Sequence, residues 1–388
     1  VSPWVSAMPM ATERIGLTRR QWLGVAAAGC LLGAGGMTRA EAGGRGAASV
    51  DGAMHRVAAA WDDARGSHYI GILRVSPTQV TVLASVAVPT RAHALVLEPQ
   101  GSVLAVARRP GEWLLRWYPP GQVDSTAQAH QVQWHWIDDA YRFSGHVLVG
   151  QDGGSLLTTE TDLETGAGQV VQRDRQTMAV TARWPTHGTD PHDMQLLPNG
   201  LLLIANGGIA SRPETGRARL ALDQMDASLV ALSPTDGSLH HSWRLADRRQ
   251  SLRHLAWHAS GRVAVALQAL HDDPVQRDNA PVLAILDLRR SVLHEVEASR
   301  GMSGYAGDVA VVGDHWYVSG PRSDTVMRLS LDGAQSVRLA LADACALAGS
   351  VDQSWGWASG RGNGLELGGK GQALIHRDIR LDNHAVAF

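Results

Sequence analysis

Cysteine is almost missing from this chain: 388 residues contain two, Cys30 and Cys345. Cys30 falls in a segment read below as an export signal, so the exported product would carry one thiol, and a disulfide within it is excluded. A chain of this size does not need one, because its apolar core can outweigh chain entropy without covalent cross-links. An excess of one charge is also lacking. Lys and Arg number 35 against 37 Asp and Glu, a net charge of −2, and the two signs are interspersed. That removes the basic stripe a nucleic-acid binder would show. No apolar run is long enough to span about 30 Å of hydrocarbon, so no membrane span is expected. Long stretches of helical period are absent, as is any Pro-, Ser- or charge-rich linker past residue 55, which argues for one all-β domain. Phenylalanine is scarce at 2 residues, while tryptophan reaches 13, an excess read as packing. Glycine is plentiful at 42 residues, which suits many tight turns, and the 44% hydrophobic fraction is ample for a core.

The N-terminal segment reads as an address. Arg14 and then Thr18-Arg19-Arg20-Gln21-Trp22-Leu23 precede a Gly- and Ala-rich apolar run from Val25 to Met37, closed by Ala40-Glu41-Ala42 at a cleavage spacing. This is the pattern of a twin-arginine signal peptide over residues 1–42, followed by a flexible lead-in over 43–54. Since that route carries folded proteins, metal or cofactor loading before export becomes plausible, the export machinery is an expected partner, and the periplasm is the expected location. Ala27-Ala28-Gly29-Cys30 offers an alternative, a lipid anchor on Cys30.

Past residue 55, short alternating apolar runs separated by Pro, Asp, Asn or Gly turns recur roughly every 40 to 60 residues. The clearest copies are Ala92 to Ala107, His192 to Asn206, His254 to Leu267 and Asp308 to Gly320, with weaker ones starting near Gly145 and Cys345. This is the rhythm of a WD40- or YVTN-like β-propeller over residues 55–388. About seven blades are expected, with six as the alternative, the first blade being closed by strand residues from the C-terminal segment.

Histidines stand at the start of several inner strands. His93 and His192 lie eight residues before Gly101 and Gly200, and His146 and His254 seven before Gly153 and Gly261. Cys345 takes the comparable place in the last repeat, and the segment from His187 to Asp193 adds His187, Asp190 and Asp193. Such positions ring one mouth of a propeller's channel, so residues far apart in sequence can meet there. Several imidazoles with a carboxylate suit Fe, Cu or Zn. The metal ligands expected are His93, His146, His187, His192 and His254, with Asp190, Asp193, Asn206, Asp308 and Cys345 as further ligand-binding groups. Against this, the spacings fit no compact ligand motif, the shift from seven to eight could turn side chains to opposite faces, and such histidines can simply tie blades together. The cluster Trp134-His135-Trp136 reads as loop decoration, and the insertion Ser211 to Asp226, with Arg212, Glu214, Arg217, Arg219 and Asp223, as a self-paired loop.

The stretch from His187 to Asp193 (HGTDPHD), ANGGI at Ala205 to Ile209, the run Glu214 to Val230 and SLRHLA at Ser251 to Ala256 together resemble an uncharacterised family of exported bacterial propellers. The resemblance covers the chain from about Val57 onward. It implies a place in periplasmic metal acquisition, beside imelysin-type iron-uptake proteins and haem-containing oxidoreductases, and no established reaction. The family's paired histidines fall on His187 and His192, and its further ones on His146 and His254. Asp193 stands where Glu is expected, Ala92 and Ala94 replace flanking glycines, and Arg212 replaces a histidine.

The resulting expectation is a non-enzymatic metal- or ligand-binding accessory protein of iron or copper acquisition. One alternative is a lactonase-like metal-dependent hydrolase using Glu160, Asn206 and Asp308 around a hard cation. The other is an interaction scaffold.

Overall fold

The computed structural model of the protein describes residues 54–120, 131–210, 222–369, 372–375 and 379–388. The expected signal peptide, Cys30 and most of the insertion, including Arg212, Glu214, Arg217 and Arg219, lie outside the described residues.

The described chain is all-β, apart from one short helix, α1 (Pro274–Asn279), and two 3-10 turns at Leu222–Gln224 and Glu297–Ser299. Asp273 starts α1 by accepting the Val275 N–H. Five four-stranded antiparallel sheets follow one another along the sequence. The first holds β4 (Ala92–Leu97), β5 (Val103–Ala107), β6 (Trp113–Trp117) and β7 (Val132–Trp136), reached after β1 (His55–Asp62), β2 (His68–Val75) and β3 (Val80–Val88). The second holds β8 (Tyr141–Val149), β9 (Ser155–Asp162), β10 (Ala167–Asp174) and β11 (Val180–Thr189). β12 (Pro191–Leu196), β13 (Leu202–Asn206), β14 (Ser228–Leu232) and β15 (Leu239–Trp243) make the third. The fourth comprises β16 (Gln250–His258), β17 (Arg262–Ala269), β18 (Leu283–Asp287) and β19 (Val292–Glu295). The fifth comprises β20 (Asp308–Val312), β21 (His315–Gly320), β22 (Thr325–Ser330) and β23 (Ser336–Ala340).

The remaining strands are β24 (Leu347–Gly349), β25 (Gly356–Ser359), β26 (Asn363–Leu367), β27 (Gln372–Leu374) and β28 (Arg380–Ala387). With β1, β2 and β3 they form one eight-stranded sheet in the order β27-β26-β25-β24-β28-β1-β2-β3. The arrangement is a β-propeller, but with five separate four-stranded blades rather than the seven or six expected. The cause lies in the C-terminal strand. β28 pairs antiparallel with β1, as the expected closure requires, and also meets β24 in a single parallel pair, Leu347 with His384, which joins two four-strand runs into one sheet.

The sequence pattern accounts for this architecture. β5 (VLAVA), β13 (LLIAN) and β14 (SLVAL) are buried throughout, because a strand covered on both faces reads as an unbroken apolar run. At the periphery, β15 (LHHSW) and β23 (SVRLA) are exposed and carry polar side chains that blunt a free edge. Facing sheets share cores: Ala264 and Ile285 meet Trp316, Val318 and Met327 across one boundary. Val57 and Leu73 meet Ala348 and Trp357 across another, between the two runs of the eight-stranded sheet. Tryptophan does serve packing. Trp113, Trp117, Trp316 and Trp357 are among the largest fully buried side chains, and truncating such a ring to alanine costs about 3–5 kcal/mol. Trp134 and Trp136 are not loop decoration: they sit half-buried in β7 with centroids 5.9 Å apart, Trp134 packing edge-on to Trp113.

Candidate metal centre

The first strand of each four-stranded blade lies innermost and leads with the residues the sequence singled out. β4 supplies His93, β8 His146, β12 His192 and Asp193, β16 His254, and β20 Asp308. β28 adds His384. All five histidines share a local device. Pairing register breaks between Ala92 and Leu95, Phe143 and Val147, Pro191 and Met194, Leu252 and Leu255, and Leu381 and Ala385, and each interval contains the histidine. A bulge adds an unpaired residue and re-aims its side chain. That is why a seven-residue spacing in two repeats and an eight-residue spacing in two others still bring the imidazoles to one place. Gly145 makes room for the first of them: its φ is +109°, and a Cβ there would stand 2.7 Å from His93 Cδ2.

His93, His146, His254 and His384 each present a ring nitrogen such that the four atoms lie within 4.8 Å of one another. A tetrahedral set at about 2.0–2.1 Å from zinc spaces its nitrogens by about 3.4 Å, so four imidazoles could hold a metal ion after small rotations. His192 joins them: its Nε2 is 2.7 Å from His254 Nε2, which is also 3.2 Å from His384 Nε2. Two outer carboxylates orient the rings. Asp193 Oδ1 lies 2.9 Å from His146 Nδ1, and Asp308 Oδ2 lies 3.2 Å from His384 Nδ1. This is the carboxylate–imidazole pairing that aims the other ring nitrogen at a metal. The carboxylates are themselves tied down, Asp193 accepting the Leu255 and Met194 N–H groups and Asp308 those of Val309 and Leu347. Each thereby bridges its strand to the next inner strand. Both ring nitrogens of His93, Nε2 of His146 and Nδ1 of His192 are buried with no hydrogen-bond partner among the described residues, while His254 Nδ1 faces Asp308 Oδ1 at 3.6 Å. Buried polar atoms are normally satisfied, so unpaired ring nitrogens within this cluster favour a ligand there.

Electrostatics keep most of these rings neutral. Burial, reinforced by the neighbouring histidines, holds His93, His192 and His254 well below the usual imidazole value. Burial also opposes charge on His384, but the Asp308 and Asp193 carboxylates outweigh it and raise its value. Asp308 is raised by burial, which its histidine partner only partly offsets. Asp193 is lowered, since His146 and His384 outweigh the burial that would raise it. Neutral imidazole is the form that binds a metal.

Other expected residues fall elsewhere. His187 is exposed, with a left-handed backbone (φ +54°), and is not among the clustered ligands. Its position three residues before the strand break at Asp190 (φ +53°) carries it out of the ring. Asp190 is buried but committed to Arg109 and to Arg253, whose Nη1 is 2.9 Å away. Asn206 donates through Nδ2 to the Thr186 carbonyl on β11 and to Ser228 Oγ on β14, tying the second blade to the third rather than facing the cluster. The Cys345 thiol donates to Asn383 Oδ1 at 3.1 Å, and burial together with Asp382 pushes its pKa up, which disfavours thiolate ligation. Of the oxygens a hydrolase would need, Glu160 is fully buried against Arg173 and Arg183 at 2.5 and 2.8 Å. His384 escaped the sequence reading because no turn-and-strand copy follows it. The signal was the expected closure of the first blade by the C-terminal segment, whose inner strand should carry a residue equivalent to His93. Arg253 was also passed over; buried and 3% exposed, its guanidinium is lowered to about 10 by burial.

None of the curated proteins matches this chain. Among solved structures, a chain of Kuenenia stuttgartiensis hydrazine synthase has a similar fold, with a TM-score of 0.55 at 14% identity over 77% of this chain and 91% of that one. A protein of unknown function from Bacteroides caccae aligns over 87% of this chain and 99% of its own, at 8% identity and a TM-score of 0.46. At 14% identity the likeness to the hydrazine synthase chain shows the fold alone. Residues 86–388 match the model of a family described as proteins of unknown function, DUF1513, and because that match spans most of the chain, the protein belongs to this family.

Proposed function

We propose that the histidine cluster is a transition-metal centre and that the protein acts as a metal-binding accessory in the acquisition of iron or copper. The observation that carries this reading is the convergence of four imidazole ligand atoms within 4.8 Å, several with no other partner. A nitrogen-rich set of neutral imidazoles favours Cu, Fe or Zn over the hard cations that oxygen ligands select. Asp193 and Asp308 would orient His146 and His384 and offset the ion's charge.

We further infer that the eight-stranded sheet does the work of two blades, which would close a sevenfold ring around the site. The separate core between its two runs supports this. Export by the twin-arginine route into the periplasm fits the same account, because a folded passenger could load its metal first. An imelysin-type protein or a haem-containing oxidoreductase would then be a natural partner. The experiment is direct: titrate the chelator-stripped protein with Cu(II), Zn(II) and Fe(II), and compare a His146→Ala/His384→Ala double variant. One equivalent bound by the native chain and lost in the variant supports the centre. Equal binding by both, or by neither, overturns it.

A further inference from the structure

Beside the histidine cluster stands a guanidinium whose most useful edge is unspent. Arg253 is 3% exposed and immediately precedes His254 within the β16 bulge. Its Nη1 donates to Asp190 Oδ2 at 2.9 Å. Gly207 lets the chain close on this pair, since a Cβ there would stand 2.4 Å from Asp190 Oδ2 and 3.0 Å from Arg253 Nη1. The grip on Nη1 fixes the plane of the side chain. Nε and Nη2, which share the opposite edge, are buried with no partner among the described residues.

That edge meets the two oxygens of a carboxylate as a fork, and the described residues use it so three times. Arg116 gives Nε and Nη2 to Glu98 at 2.5 and 3.0 Å, Arg244 gives both to Asp226 at 2.8 and 2.9 Å, and Arg300 gives both to Glu297 at 2.5 and 3.0 Å. Arg253 holds its edge in the same readiness, far more buried than Arg244 or Arg300, and has no carboxylate on it. A buried charged donor left unpaired is costly, so a ligand from outside the chain is the economical explanation.

We propose that Arg253 binds the carboxylate of a small-molecule ligand, with Asp190 as the residue that positions it. If the histidines hold a metal, which is the reading this extension rests on, the same ligand would offer a second donor to that ion, and the centre would take its metal as a carboxylate complex. Arg109 also reaches Asp190, so Asp190 keeps a cationic partner when Arg253 is changed.

The test uses the full exported chain and acetate as the probe. Acetate is titrated calorimetrically into chelator-stripped protein, and then into protein loaded with one equivalent of Zn(II), for the native chain and for Arg253→Gln and Arg253→Lys. Saturable acetate binding by the native chain, weakened at least tenfold in both variants, is expected. Arg253→Lys retains the charge and loses the fork, so it carries the test if the glutamine variant does not fold. Absence of saturable binding by the native chain, or equal affinity in Arg253→Lys, overturns the assignment. Acetate binding that depends on Arg253 in protein that takes up no Zn(II) would leave the carboxylate site standing and sink the metal centre. Zn(II) uptake without acetate binding would do the reverse.

Discussion

Acidification should destabilise the metal-free protein steeply, and the size of the effect follows from the buried imidazoles. His93, His192 and His254 are each held well below the usual value of 6.5 by burial and by their neighbours. In the unfolded chain they titrate near that value, so below about pH 6.5 the unfolded state binds more protons than the folded one. Their contribution is therefore intact above that pH and is lost as pH falls. Each ring that stays neutral costs at most about 1.4 kcal/mol per pH unit, a limit approached as the unfolded chain becomes fully protonated, and three together at most about 4 kcal/mol per unit. His384 acts in the opposite sense: raised by Asp308 and Asp193, it holds its proton when folded, and its contribution is present at low pH and lost as pH rises through its folded value. One ring against three leaves a net loss on acidification, about 3 kcal/mol or less per unit between pH 6.5 and 5.5. Urea unfolding in the presence of chelator at pH 7.5, 6.5 and 5.5 measures this, and His192→Gln should reduce the slope by about 1 kcal/mol per unit between pH 6.5 and 5.5. Stability that is flat, or that rises on acidification, would refute the reasoning.

Three further outcomes follow from particular contacts. Gly145→Ala places a methyl 2.7 Å from the His93 ring at a φ of +109°, and should cost about 1–3 kcal/mol in urea unfolding while weakening metal affinity tenfold or more in a competition titration. Asp193→Asn removes the charged partner of His146 and should lower metal affinity about 10–100-fold by the same titration, with the stoichiometry retained. Glu160→Gln leaves the fully buried Arg173 without a counter-charge and should destabilise the fold by about 3–5 kcal/mol in urea, with no change in metal stoichiometry.

Much of the architecture was legible because propeller strands advertise themselves. The runs VLAVA, LLIAN and SLVAL, each set off by turn residues, can only be strands buried on both faces. The blade count was not legible, because it turns on one parallel pair between Leu347 and His384 that no local pattern encodes. At the site, four of the five clustered histidines were readable from their place ahead of an inner strand. What period-two reasoning missed was the bulge: it put His93 and His146 on different faces, whereas β4 carries one extra residue at its register break and β8 two, which re-aims both. His187 illustrates the converse: five residues from His192 in sequence, it is separated from the cluster by the left-handed turn at Asp190. His384 needed the ring to close before its role could be seen. The Glu160 pairings with Arg173 and Arg183 join residues on three strands of one blade, and nothing in their spacing distinguishes them from a hard-cation site.

The measurement closest to the central claim is the metal content of the protein purified from its native compartment without chelator, set beside the His146→Ala/His384→Ala double variant and a His187→Ala control. The account predicts close to one equivalent of iron, copper or zinc in the native chain and in His187→Ala, and none in the double variant. Metal retained by the double variant, or absent from all three even after titration, would contradict it and return the five histidines to a structural role.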